Sequence, residues 1–382
     1  MTLTAEGWRH RETPRVAVMG ATGYVGSELC RLLWSHPGVE LAFAGSSSAA
    51  GRQLADCVDG MPPIPLSTPG GLTPDRIDLA FLALPPGRAS TVAGSLVSSG
   101  CRVIDMSGDH RLKDRQLHED VYGTPRDERL AGTALYGITE FARPLLKECR
   151  FVANPGCYAT SVALALGPLA RTLRSRGGLR DCFVSSQSGV SGAGREPTDT
   201  THFCRVDGDV RPYKVGEHRH APEMAQFLDA VGDSAPVDLV FVPHLVPIRR
   251  GIVSTIFLGT PLLAAEVRSQ LSESYESAPF VEVLPEGDTA GVRAVEQTNS
   301  CHLSVHAVKG SERVVIVSAI DNLLKGAAGQ AIQNMNVALS LEETMGLPHV
   351  SAMQTLPSRA ADATTKATAE AEERRPATWV AN

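Results

Sequence analysis

Much of what marks a membrane, metal-binding or nucleic-acid-binding protein is missing from this chain of 382 residues. No uninterrupted apolar run approaches the length of about 20 residues that a bilayer crossing requires. The first ten residues, Met1-Thr-Leu-Thr-Ala-Glu-Gly-Trp-Arg-His10, lack an apolar centre and do not read as a signal peptide. The net charge of −6 gives no reason to expect a nucleic-acid or anionic-membrane partner. Eight cysteines, at positions 30, 57, 101, 149, 157, 182, 204 and 301, are scattered without a Cys-x-x-Cys pair, so they form neither a common zinc ligand set nor a compact disulfide framework. These absences lead us to expect a soluble, cytoplasmic protein with no metal.

What is present is ordinary globular composition, 43% hydrophobic and 20% charged, at a length that allows two domains. Residues 1–14 are polar and read as a flexible extension. A short apolar strand, residues 15–19, runs straight into Gly20-Ala-Thr-Gly-Tyr-Val-Gly26, and residues 27–35 then have helical apolar spacing. Strand, glycine turn and helix form the setting of a dinucleotide site, in which the glycines let the backbone approach a pyrophosphate. Gly20, Thr22, Gly23, Tyr24, Val25 and Gly26 are therefore candidate cofactor contacts.

The second strand, residues 39–44, lacks the Asp or Glu that accepts from an adenosine 2′-hydroxyl in NAD enzymes. Gly45-Ser46-Ser47-Ser48 stands there instead, with Arg52 close by. Hydroxyls and a cation suit a 2′-phosphate, so NADP is the expected cofactor; a plain serine loop is the other reading. Further strands at residues 78–84 and 102–105, with a crossover helix over 88–98 between them, indicate an α/β fold with a doubly wound parallel sheet.

Beyond Tyr158, strand-like runs at 182–186, 237–242, 253–258, 302–308 and 313–320 outnumber helices, and the last two read as a hairpin. This predicts a second, α+β catalytic domain with a mixed, largely antiparallel sheet. Residues 321–341 then form a loop and a helix rich in small residues, suited to docking back on the first domain. The expected division is 15–156 with 322–348 for the nucleotide domain and 157–321 for the catalytic domain; the polar segment 349–382 reads as a disordered tail.

Cys157 lies at the junction, in Phe151-Val-Ala-Asn-Pro-Gly-Cys-Tyr-Ala-Thr-Ser161, just before an apolar segment (158–173) of helical spacing. Free N–H groups and the helix dipole at such a start stabilise a thiolate, which points to a nucleophile. A small apolar residue packed in a turn is the alternative.

The blocks Gly20–Gly26, Asp105-Met-Ser-Gly-Asp-His-Arg-Leu-Lys-Asp114, Asn154-Pro-Gly-Cys-Tyr-Ala-Thr160, Ser188-Gly-Val-Ser-Gly-Ala-Gly-Arg195, Tyr213-Lys-Val-Gly-Glu-His-Arg-His-Ala-Pro-Glu223 and Asp321-Asn-Leu-Leu-Lys-Gly-Ala-Ala-Gly-Gln330 together resemble the N-acetyl-gamma-glutamyl-phosphate reductases, from about residue 15 to residue 348. The wider superfamily includes aspartate-semialdehyde dehydrogenase. The resemblance implies a Rossmann-type nucleotide domain and reduction of an acyl phosphate, by NADPH, to a semialdehyde of arginine biosynthesis through a thioester on Cys157. It assigns acid/base work to His218 and makes His220 a substrate contact. The other reading of His218-Arg219-His220 is a surface metal-binding or merely solvated pair of histidines.

The resemblance further places Arg111 on the substrate phosphate, Arg250 on a substrate carboxylate and Asn322 near the nicotinamide. Ion pairs (for Arg111, with Asp109 or Asp114) and a helix cap are the respective alternatives. It also implies a homodimer or homotetramer. Three features depart from the family: Gln187, Asn299-Ser-Cys-His-Leu303 and the long tail. They leave open a related substrate, such as an aminoadipyl, aspartyl or carrier-linked glutamyl phosphate. An acidic carrier protein would need basic residues at the entrance, for which Arg205, Arg211, Lys214 and Arg219 are available, although nothing more supports that partner. A noncatalytic NADP-binding redox sensor is the remote alternative.

Overall fold

The computed structural model describes residues 13–175, 182–232 and 238–349. The terminal extension before residue 13 and the tail after residue 349 lie outside these described residues, as does the start of the run at 237–242.

Seven strands form the first sheet: β1 (Arg15–Met19), β2 (Glu40–Gly45), β3 (Leu66–Ser67), β4 (Leu79–Leu82), β5 (Arg102–Asp105), β6 (Leu135–Tyr136) and β7 (Phe151–Ala153). Their order is β3-β2-β1-β4-β5-β7-β6, and every pairing is parallel. The strands are apolar throughout because both faces are covered. Along β1, Val16 and Val18 join one core with Leu29 and Leu33, while Ala17 and Met19 join the opposite core with Ala93 and Leu96. Chain direction across the sheet reverses between β1 and β4, so the crevice for a ligand opens beyond their carboxyl ends.

The second sheet comprises β8 (Cys182–Ser188), β9 (Arg211–Pro212), β10 (Leu239–Leu245), β11 (Ile252–Gly259), β12 (Val281–Val283), β13 (Cys301–Ala307) and β14 (Arg313–Ile320), in the order β12-β13-β14-β11-β8-β10-β9. Four pairings are antiparallel and two, β8–β10 and β12–β13, are parallel. The helix Cys157–Leu166 lies on one face, burying Val162 and Leu166 with Val184, Ile256 and Ile316. Much of the opposite face is open: Phe183, Phe257 and Val240 are exposed there.

The segment 158–173 is not one helix. An α-helix runs from Cys157 to Leu166, a 3₁₀ turn covers Gly167–Leu169, and a short helix follows at Ala170–Ser175. Pro168 cannot donate to the preceding turn, and Gly167 leaves room for Phe141, whose ring would meet an added Cβ at 2.5 Å.

The closing segment passes through a π-helical turn, Leu324–Ala328, into the buried helix Gly329–Ala338, which packs on the helix Thr139–Leu146. Lys325 is fully buried and donates to Glu140 Oε1 and Gln333 Oε1, both at 2.7 Å. Burial works to raise the Glu140 carboxyl, but Lys325 outweighs it and holds the group below its usual 4.5. Removing one partner of such a pair leaves an uncompensated buried charge. Lys325→Met should therefore cost about 3–5 kcal/mol in urea unfolding. With Lys325 gone, the Glu140 carboxyl is raised by burial alone, so the variant should regain stability on acidification from neutral pH towards about pH 5, where the parent does not. Equal pH slopes for the two proteins would contradict this account of the pair.

Candidate active site

The glycine loop after β1 is formed by contacts that side chains would block. Gly20 has φ +87°, and a Cβ there would lie 2.2 Å from the Ala83 carbonyl oxygen. A Cβ on Gly26 would lie 2.0 Å from the Gly20 oxygen, so the helix Tyr24–Trp34 sits directly on the turn. The N–H groups of Gly20 and Ala21 both donate to the Gly45 carbonyl, joining the loop to the end of β2. There Ser46 Oγ lies 3.0 Å from Thr22 Oγ1, with Ser47 and Ser48 exposed beside it.

This loop forms one end of a cleft of about 1220 Å³ between the two sheets. The residues singled out from the sequence line it, with two exceptions: Gly20, Thr22, Gly23, Tyr24, Val25 and Gly26, then Ser46, Ser47 and Ser48, then Arg111, Cys157, His220 and Asn322. The exceptions are His218 and Arg250.

β7 ends at Ala153, and Asn154-Pro155-Gly156 turns the chain into the helix that begins at Cys157. Gly156 is tightly enclosed. A Cβ there would stand 2.4 Å from His220 Nε2 and 2.8 Å from Arg111 Nη1. On the other side of Cys157 is Gly326 of the π-helical turn, where an added Cβ would lie 2.8 Å from the Cys157 Cβ. Cys157 itself is partly exposed to the cleft.

The electrostatics differ from what a helix start alone suggests. Burial pushes the Cys157 thiol up to about 11, although the Tyr158 N–H, Arg111 and Arg219 pull it down. His220 is pushed well below 6.5, first by burial and then by His218, Arg111 and Arg219, so its imidazole is neutral at rest. The resting site thus holds a thiol and a neutral base.

His218 packs behind this pair. Its ring makes edge contacts with Tyr158, Tyr213, His220 and Phe241 at centroid distances of 4.8–5.6 Å. Its Nδ1 accepts the His220 N–H at 3.2 Å. Burial and the nearby Arg219 and Lys214 lower it to about 4. The geometry therefore presents His220 to the cleft, with His218 as its support.

Arg111 pairs with neither Asp109 nor Asp114. Asp109 accepts the Gly87 and Ser90 N–H groups, and Asp114 caps the helix Arg115–Tyr122. Arg111 instead faces Glu223, which lies three residues after His220 on the helix His220–Val231, at 3.5 Å. Burial works against its charge, but Glu223 together with Tyr122, Tyr136 and Asp105 outweighs it and raises the guanidinium above its ordinary range.

Arg250 is held by Glu28 (2.9 Å) and Asp321 (3.0 Å), which agrees with the ion-pair reading. It ties the helix of the glycine loop to the closing segment. Asn322 accepts the Gly251 N–H and donates to Ser191 Oγ. The cap on the closing turn is Asp321, which accepts from the N–H groups of Leu323 and Leu324.

Three cleft neighbours were not among the expected catalytic, cofactor or substrate contacts. Arg195, from the loop after β8, reaches across to the carbonyls of Thr22 and Cys57. Arg219 is exposed in the cleft wall, and Glu223 lies behind it. The departures Gln187 and Asn299–Leu303 do not line the cleft; Gln187 bonds Ser185 along β8. No three His, Cys, Asp or Glu side chains among the described residues converge as a metal site would need, and no described helix is long and apolar enough to cross a membrane.

Comparison with known proteins agrees with this arrangement. The family model "Semialdehyde dehydrogenase, NAD binding domain" matches residues 15–149, and "Semialdehyde dehydrogenase, dimerisation domain" matches residues 157–322. An N-acetyl-gamma-glutamyl-phosphate reductase of Desulforapulum autotrophicum is 40% identical over 343 residues, covering 87% of this chain and 97% of the relative. One from Clostridium beijerinckii is 40% identical over 342 residues, with the same coverage. Aspartate semialdehyde dehydrogenase II of Vibrio cholerae shares the fold at a TM-score of 0.67 and 17% identity, over 86% of this chain and 99% of that one. The Candida albicans aspartate semialdehyde dehydrogenase with NADP aligns at a TM-score of 0.61 and 17% identity, over 85% and 98%.

With the thiol pushed up to about 11, alkylation of Cys157 by iodoacetamide should climb about tenfold per pH unit from pH 7 to pH 9, as the thiolate fraction does. A rate already level at pH 7, followed by peptide mass spectrometry, would contradict a neutral resting thiol.

Proposed function

The chain belongs to the semialdehyde dehydrogenase family, among its N-acetyl-gamma-glutamyl-phosphate reductases, and on that premise we propose that it reduces N-acetyl-gamma-glutamyl phosphate to the corresponding semialdehyde in arginine biosynthesis, using NADPH. The observation that carries the proposal is the meeting of Cys157, His220 and Arg111 around Gly156, at one wall of the cleft that begins at the glycine loop.

The glycine loop fits a dinucleotide because Gly20 and Gly26 let the turn close tightly against the backbone, while Gly23 leaves no side chain between the loop and a pyrophosphate. Ser47, Ser48 and Arg52 would hold a 2′-phosphate, since no carboxylate ends β2 to repel it. Bound there, a reduced nicotinamide supplies the hydride that the acyl group needs. The chain's own residues do the rest. Neutral His220 takes the Cys157 proton as the sulfur attacks the acyl carbon. Arg111 holds the phosphate with its planar guanidinium, which lines the cleft beside Cys157. Phosphate departs with the electrons of the broken C–O bond, leaving a thioester. After reduction, the His220 proton returns as the thiol is released from the aldehyde.

The open face of the second sheet supplies a homodimer contact in this proposal. Phe183 stands opposite Phe257 and Val240 on adjacent strands, and Phe257 stands opposite Val315. These form a contiguous apolar stripe, in the segment matched by a dimerisation domain. Function in the cytoplasm is part of the same reading.

Purified protein should oxidise NADPH, in preference to NADH, when given N-acetyl-gamma-glutamyl phosphate. Cys157→Ala should abolish turnover, and His220→Asn should lower kcat by about 10²–10⁴-fold. Reverse activity with aspartate semialdehyde but none with N-acetyl-glutamate semialdehyde would defeat the substrate assignment. A larger loss from His218→Asn than from His220→Asn would return the acid/base role to His218. Phe183→Glu should shift the protein to monomers in analytical ultracentrifugation; an unchanged mass would exclude this sheet face as the contact.

A further inference from the structure

Glu223 is fully buried, and the chemistry above makes no use of it. One of its oxygens, Oε1, accepts the Gly156 N–H at 2.8 Å and the Tyr136 hydroxyl at 2.7 Å. The other, Oε2, faces Arg111 Nη1 at 3.5 Å. We propose that Glu223 is a positioning residue acting on two groups at once: Oε1 fixes the Gly156 turn and with it the place of Cys157, while Oε2 balances Arg111 and so sets how strongly the cleft draws an anion. The assignment rests on the reading of Cys157 as the acyl acceptor and Arg111 as the phosphate contact.

Three observations separate this from an ordinary buried ion pair. The 3.5 Å separation from Arg111 is longer than the roughly 2.7–2.9 Å of a tight charge-assisted bond, so Glu223 balances the guanidinium without clamping it. Arg111 donates to the Met106 carbonyl through Nη2, yet its buried Nε has no partner among the described residues, and the side chain lines the cleft. Its Nη1, facing Glu223 only at 3.5 Å, keeps donor capacity for an incoming oxyanion. Tyr136, at the edge of the first sheet, pins Oε1, so the carboxyl group cannot swing towards Arg111 without losing a hydrogen bond from Gly156 or Tyr136.

The helix explains why one residue reaches both groups. His220 and Glu223 stand three apart, on one face of His220–Val231, and that face meets the Gly156 turn. The proton acceptor and the positioning carboxyl group therefore move as one body relative to Cys157. The negative charge also adds to the upward push on the thiol, against the pull of Arg111. Neutralising Glu223 should thus make Cys157 more reactive and the cleft more attractive to anions, whereas damage to a purely structural residue would make the thiol less selective.

The test is alkylation of Cys157 in the full-length protein without substrate, read by peptide mass spectrometry because Cys204 is also exposed. Anionic iodoacetate is compared with neutral iodoacetamide at neutral pH. Glu223→Gln should raise the iodoacetate-to-iodoacetamide rate ratio at least about fivefold, and adding Arg111→Ala should remove the gain. Glu223→Asp keeps the charge but withdraws it from Gly156. It should leave the ratio within about twofold while lowering reductase kcat about tenfold with little change in KM. An unchanged ratio in Glu223→Gln, or a Glu223→Asp enzyme with the parent kcat, overturns the proposal. If Glu223→Gln does not fold, Glu223→Asp decides alone. A parent protein that shows the alkylation pattern but no reductase activity would remove the proposed reaction and leave the Glu223 assignment standing.

Discussion

The absence of a side chain at Gly156 is the constraint on which the site depends. One residue before Cys157, the backbone comes so close to His220 and Arg111 that a single methyl group would strike both, while its N–H points back to Glu223. A thiol, a neutral base, a cation and a buried carboxyl group are thereby gathered around one peptide unit. None of them lies near another in sequence except His220 and Glu223. The fold brings them together by ending β7 at this turn and laying the helix His220–Val231 across it.

A second close approach completes the wall. Gly326, in the π-helical turn of the closing segment, fits against Cys157 because it has no side chain, and that turn is held by Asp321. Asp321 is bound in turn by Arg250, which also grips Glu28 on the helix of the glycine loop. The nucleotide loop, the second sheet and the cysteine turn therefore share one chain of contacts. Buried Lys325 and Glu140 tie the same turn to the helix Thr139–Leu146. The site's rigidity thus comes from ion pairs and glycine contacts concentrated where the sheets meet, where an apolar core alone would not fix the angle between them.

The main strands were legible because their apolar runs are short and bounded: β1, β5 and β14 begin and end where the alternation of residues indicates. β7 was missed as a strand because three apolar residues before Asn-Pro-Gly look like the lead-in to a turn. The break after Leu166 was hidden by apolar spacing that continues through Gly167-Pro168, although the proline was visible. The glycine loop, the serines after β2 and Cys157, each singled out from a short local pattern, all line the cleft.

Pairwise geometry could not be read in that way. A Glu three residues after a His on a helix resembles any solvated face, and only the fold shows that Glu223 is buried against Gly156. The two histidines are a similar case: the rings of His218 and His220 pack against each other, and the chain alone does not say which of them lines the cleft. Arg250 looked like a ligand because its two acidic partners lie 222 and 71 residues away.

The central claim is that the sulfur of Cys157 carries the acyl group. It is tested most directly by quenching the protein in acid after brief mixing with N-acetyl-gamma-glutamyl phosphate in the absence of NADPH and sequencing its peptides by mass spectrometry. The account predicts an added acyl mass on the peptide containing Cys157 and nowhere else, removed by hydroxylamine. Turnover with no adduct on Cys157, or an adduct on another residue, would contradict it.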